Sequence, residues 1–141
     1  MSTEAMTKAG RQYFEDTYGD TAGSVQSMLN AYYPDLGMYY IIRSEISEYL
    51  FNSLTGHFSE TLGYGYVYAY SDVLSHVETS FTMIAALIAS DTPRQIGWHL
   101  RGAIRNGATT AEVKAIRQIS IEVAKASGIH WKNEIPDIEG S

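Results

Sequence analysis

Apolar residues recur every three to four positions along most of this chain, a period that predicts helices rather than strands. The first run, over about 3–18, sets Met6, Ala9, Tyr13 and Phe14 on one side and ends at Gly19-Asp20. A second, over about 22–33, carries Val25, Met28, Leu29 and Tyr32 and stops before Pro34, because proline pushes its predecessor out of the α region. Asp35 then caps a third helix, about 36–54, whose inward stripe is Tyr39, Ile42, Ile46, Tyr49 and Leu50.

Beyond Gly56 and His57 comes a connection rich in glycine and tyrosine. Ser75-His76-Val77-Glu78 has the form of a capping box, in which serine and glutamate side chains satisfy the free backbone donors of a helix start. The run that follows, FTMIAALIA, is apolar all round and predicts a central buried helix. Asp91-Thr92-Pro93 repeats the start signal, Gly107 supplies a stop, and Thr109 to Glu112 form another capping box. The last helix runs on through Val113, Ile116, Ile119 and Val123 to Gly128, and everything beyond Ile129 reads as a tail. The expectation is an all-α bundle of about six helices in one domain, residues 1–141.

One stretch resists the helical period. GYGYVYAYS, residues 63–71, places Tyr64, Tyr66, Tyr68 and Tyr70 at alternate positions, as a strand would. A lone strand leaves its backbone unpaired, so the better reading is an irregular or helical wall, with Tyr64/Tyr68 and Tyr66/Tyr70 paired on one turn. Such rings, Tyr66 and Tyr70 in particular, suit a cover for an aromatic or lactone ligand, and equally a subunit interface.

Composition narrows the function. A net charge of −6 argues against a nucleic-acid footprint, and without cysteine there is no disulfide, thiolate metal site or thiol catalysis. The N-terminal residues lack the apolar core of a signal peptide, and no run nears the roughly 18 apolar residues of a membrane span. A cytoplasmic protein acting on a small molecule, without membrane or nucleic acid, is the expectation. No pair of histidines stands at i, i+4 spacing with a carboxylate, so no metal site is expected.

The segment TPRQIGWHLRGAIRNGATTAEV, residues 92–113, carries the candidate chemistry. On a helix, Ile96, His99, Leu100, Ala103 and Ile104 share the inward face, with Arg94, Trp98, Arg101 and Arg105 on a neighbouring stripe. Burial and nearby cations hold such an imidazole neutral, while the arginines suit a carboxylate. The same pattern also describes a core histidine bonded to a backbone carbonyl, with the arginines facing water.

The segment LSHVETSFTMIAALIASDTPRQIGWHLRGAIRNGATTAEVKAI resembles the core of the carboxymuconolactone decarboxylase and alkylhydroperoxidase D-like family. The resemblance covers residues 74–128, and HLRGAIRNGAT is its most specific part. It implies that family's all-α fold, assembly into trimers or hexamers, and sites near subunit contacts. Peroxidase members use a Cys-x-x-Cys pair at positions matching Thr92 and Gln95, so peroxidase chemistry is not expected here. They also place a glutamate where this chain has Ser80, which leaves His99 as the matched catalytic candidate.

Decarboxylating an unsaturated lactone acid needs no cofactor: the departing CO2 leaves its electron pair in a conjugated dienolate, which is then protonated. His99 suits the donor or shuttle role, and Arg94 or Arg101 suits the carboxylate or oxyanion, with Trp98 beside them. Isomerisation or cyclisation of a related ring, or ligand binding without turnover, are the alternatives. His57, His76 and His130 are weaker candidates, and Glu45 and Glu48 fit a solvated face.

Overall fold

The computed structural model describes residues 2–32 and 57–138. Helix α1 spans Thr3–Tyr18, a short 3-10 turn follows at Gly19–Thr21, and α2 spans Ala22–Tyr32. A π helix runs over His57–Tyr68, followed by α3 (His76–Ala89), α4 (Pro93–Arg105) and α5 (Thr110–Ala126). All described regular structure is helical, which agrees with the all-α expectation. The helix expected over 36–54, with Glu45 and Glu48, lies outside the described residues.

Contacts gather the chain into two compact units, Met1–Glu15 with Gly19–Tyr70, and Asp16–Tyr18 with Ser71–Ser141. In the first, α1 and the π helix meet backbone to backbone at two glycines. A Cβ on Gly10 would overlap the Glu60 carbonyl oxygen and the Gly65 backbone, and one on Gly65 would overlap Met6. Glycine is required at both positions by that approach. Beside it the Thr7 and Thr61 hydroxyls lie 2.9 Å apart, and Arg11 pairs with Glu60 at 2.9 Å.

This crossing decides the tyrosine question. Tyr64 is buried edge-on against Phe14 at 4.9 Å and against Tyr68 at 5.1 Å, the i, i+4 pairing of a helical turn. The wide turn is visible in the Ala69 N–H donating to the Tyr64 carbonyl, five residues back. Tyr66 and Tyr70 remain 43% and 40% exposed, so the alternate tyrosines do not share one face.

The second unit holds a core of Ile84, Ile88, Ile96, Leu100, Ala103, Ala108, Val113 and Ile121, built where α3 packs on α4 and α5. Both capping boxes form: Ser75 with Glu78, and Thr109 with Glu112, each with reciprocal hydrogen bonds. Gly107 and Gly128 end α4 and α5 with φ of 106° and 80°, which only glycine adopts without strain.

Four sequence readings change or sharpen here. Helix α3 buries one stripe, Thr79, Ser80, Ile84 and Ile88, rather than its whole circumference. Ile119 and Val123, read in the apolar run of the last helix, are 54% and 59% exposed, because α5 turns Val113, Ser120, Ile121 and Ala124 to the core. The hydroxyl of Thr92 does not cap α4 but donates to the Leu87 carbonyl. Finally, the segment after Ile129 is a docked strap: Trp131 donates its indole N–H to the Ile88 carbonyl at 2.6 Å, and Ile135 and Ile138 pack on the core. Arg117 holds the Ile135 and Pro136 carbonyls, and the Asp91 carboxylate accepts the Lys132 N–H at 2.9 Å.

Candidate functional site

Helix α4 begins with Pro93 at its first turn, where the missing N–H costs nothing. Trp98, His99 and Leu100 are then buried in succession, at 8%, 4% and 1% exposure. At about 100° per residue three consecutive positions cover more than half the helix circumference, so α4 must be packed from more than one side. Leu100 belongs to the core with α3 and α5. Trp98 and His99 meet Tyr18, in the last turn of α1: its ring stands edge-on to Trp98 at 5.7 Å and to His99 at 5.6 Å.

That last turn of α1 is held in place by α4 itself. Arg105 donates to the carbonyls of Asp16 and Thr17. Gly102 lets the backbones close: a Cβ there would stand 2.6 Å from the Thr17 carbonyl oxygen. The Tyr18 hydroxyl thereby reaches Nε2 of His99 at 3.4 Å, inside an aromatic pocket.

Desolvation pushes the His99 imidazole down from 6.5 to about 4, since charging the ring in this apolar setting is unfavourable. The ring is therefore neutral at pH 7. A neutral ring either accepts the Tyr18 O–H at Nε2, with its own proton on Nδ1, or donates Nε2–H to the Tyr18 oxygen, according to its tautomer. Such a ring takes a proton on one nitrogen as it releases one from the other.

The arginines separate. Arg94 lies over the Trp98 ring, 4.9 Å from its centroid, as a cation–π pair. Arg105 is spent on the α1 carbonyls. Arg101 is exposed and lines a cavity of about 370 Å³ together with Gly97, Leu100, Asp137 and Ile138. His99 is not among the lining residues of that cavity.

Trp98 shares the stripe of Arg94 as expected and is also buried against Tyr18, which sequence periodicity could not show because the partner lies some eighty positions away. Tyr18 was likewise missed as a neighbour of His99. Ser80 is buried and bonded to the His76 carbonyl and to the Asn106 amide, so no carboxylate stands at that position. His130 is exposed and Glu78 serves its capping box. Among the described residues no cluster of His, Asp and Glu could hold a metal ion, and no helix is long and apolar enough to cross a membrane.

Comparison with known proteins finds two similar chains. Peroxisomal protein 2 of Schizosaccharomyces pombe is 32% identical over 128 residues, 91% of this chain and 51% of that protein. Peroxisomal protein 2 of Saccharomyces cerevisiae is 28% identical over 126 residues, 89% of this chain and 38% of that protein. No family model matches the chain, and no solved structure matches it. The chain thus spans about half, or less, of the length of the curated relatives it matches.

Proposed function

We propose that this chain is a cofactor-independent carbon–carbon lyase domain, similar to carboxymuconolactone decarboxylases, acting on a small lactone or aromatic carboxylic acid. The observation that carries the reading is the buried imidazole of His99, kept neutral by desolvation and bonded to the Tyr18 hydroxyl. In the reaction the C–C bond to the carboxylate breaks and CO2 departs. The electron pair enters a conjugated dienolate, and a proton is then delivered to carbon. His99 relays that proton by tautomer exchange, receiving at Nε2 from Tyr18 and giving from Nδ1, and the phenolate left on Tyr18 then takes a proton from solvent, so the imidazole itself stays neutral throughout. Arg101 holds an acid group of the substrate from the cavity beside Leu100, which His99 does not line, so a ligand that uses both must reach from one to the other. Isomerisation or cyclisation of a related ring uses the same relay.

The proposed assembly is a homo-oligomer, trimer or hexamer, which the exposed Ile119 and Val123 of α5 support. Its proposed location is the peroxisome rather than the cytosol, on the strength of the name both relatives carry. A second reading, ligand binding without turnover, draws on Ser80, whose hydroxyl is spent on a backbone carbonyl and on Asn106. The two are separated by incubating the protein with a panel of lactone and aromatic acids and following CO2 release. Turnover that His99→Ala abolishes, with helical circular dichroism retained, supports the lyase. Undiminished turnover by a folded His99→Ala variant rules out the relay.

A further inference from the structure

The strap after Ile129 does more than cover the core. Its last described residues, Asp137 and Ile138, form one wall of the cavity whose other wall is α4, at Gly97, Leu100 and Arg101. At about 370 Å³ this cavity falls within the range of small-molecule sites.

Its charges are unequal in a way that selects a ligand. The Asp137 carboxylate is countered by Arg117 at 3.8 Å and accepts the Ile138 N–H at 2.7 Å. Arg101, by contrast, makes no hydrogen bond or ion pair among the described residues. Its guanidinium extends past Gly97, where even a Cβ would stand 3.8 Å from Nη1. A planar guanidinium with free donors, beside apolar Leu100 and Ile138, matches a planar carboxylate on an apolar body. A compact hydrated anion would leave the apolar walls unused.

We infer that this cavity, between α4 and the C-terminal strap, binds small monocarboxylic acids with an apolar body, with Arg101 as the anchor and Ile138 of the strap as part of the wall. The substrate class of the proposed lyase follows from it, but binding itself does not depend on turnover.

The probe is benzoate, titrated into the full chain by calorimetry or by backbone amide shifts, with benzyl alcohol and inorganic phosphate as the other arms. Benzoate is expected to bind at millimolar concentration or below, with benzyl alcohol and phosphate weaker. Removing a charge-assisted pair with Arg101→Met is expected to weaken benzoate by about tenfold or more. Arg101 is exposed and has no hydrogen bond or ion pair among the described residues, so that variant keeps its thermal midpoint. Ile138→Asp, which adds a second carboxylate to the wall, weakens benzoate as well. Equal benzoate affinity in wild type and Arg101→Met overturns the inference, as does the absence of benzoate binding to the wild type or phosphate binding as tight as benzoate. Benzoate binding that Arg101→Met weakens, in a protein that converts none of the acid panel, keeps the cavity and removes the lyase.

Discussion

The buried, neutral His99 makes a quantitative demand on stability as a function of pH. In the folded chain its imidazole titrates at about 4, and in the unfolded chain at the ordinary 6.5. Above pH 6.5 both states hold the ring neutral and its contribution to stability is fully present. As pH falls below 6.5 the unfolded chain takes up a proton that the folded chain refuses, so stability is lost until pH nears 4. Each pH unit in that window removes about 1.4 kcal/mol, which accumulates to roughly 3 kcal/mol across it. His99→Gln gives the control, since the amide still offers Tyr18 a partner but does not titrate. Urea unfolding of both proteins at steps from pH 7.5 to 4.5 isolates the histidine, because every other titrating group is common to both. The wild type is expected to lose about 2 kcal/mol more than the variant between pH 7 and 5. Parallel curves would refute the reasoning, as would a His99 ring resonance in the wild type that titrates near 6.5. The same neutrality predicts that any turnover through His99 persists to about pH 5 without loss from protonation of the ring.

Two further predictions test the elements that hold the site. Gly102→Ala puts a methyl 2.6 Å from the Thr17 carbonyl oxygen, a clash of the kind that costs about 1–3 kcal/mol, offset in part by alanine's helical advantage of about 1 kcal/mol. A lowered thermal midpoint is expected, and an unchanged one argues against the close approach of α4 to the last turn of α1. Trp131→Phe keeps most of the apolar contact but removes the donor to the Ile88 carbonyl, at a cost of about 0.5–1.5 kcal/mol. Urea midpoints, and faster proteolysis within the strap, read that loss; an equally stable variant shows that the indole bond does not hold the strap.

The sequence by itself determined the described α-helices of this protein and their ends. Capping boxes, a proline at a first turn and glycines at positive φ act within four or five residues, so their physics is complete in the local chain, and Ser75, Thr109, Gly107 and Gly128 perform as read. Periodicity also marked His99 as inward, because one apolar face identifies itself without its partner. It read the strap as a tail, did not show which of the apolar residues of α5 face the core, and had no means of finding Tyr18. Those assignments depend on what stands opposite. Helix α4 is buried on more than one side because Gly102 and Arg105 bring the last turn of α1 against it, and the strap docks because Ile88 leaves a carbonyl for Trp131. A hydrophobic pattern records that a side chain is apolar but not which of several neighbours covers it. Only the tertiary structure decided that His99 lies against Tyr18, and that, among the described residues, Arg105 is bonded to the α1 carbonyls and Arg94 stacked on Trp98 while Arg101 lines a cavity.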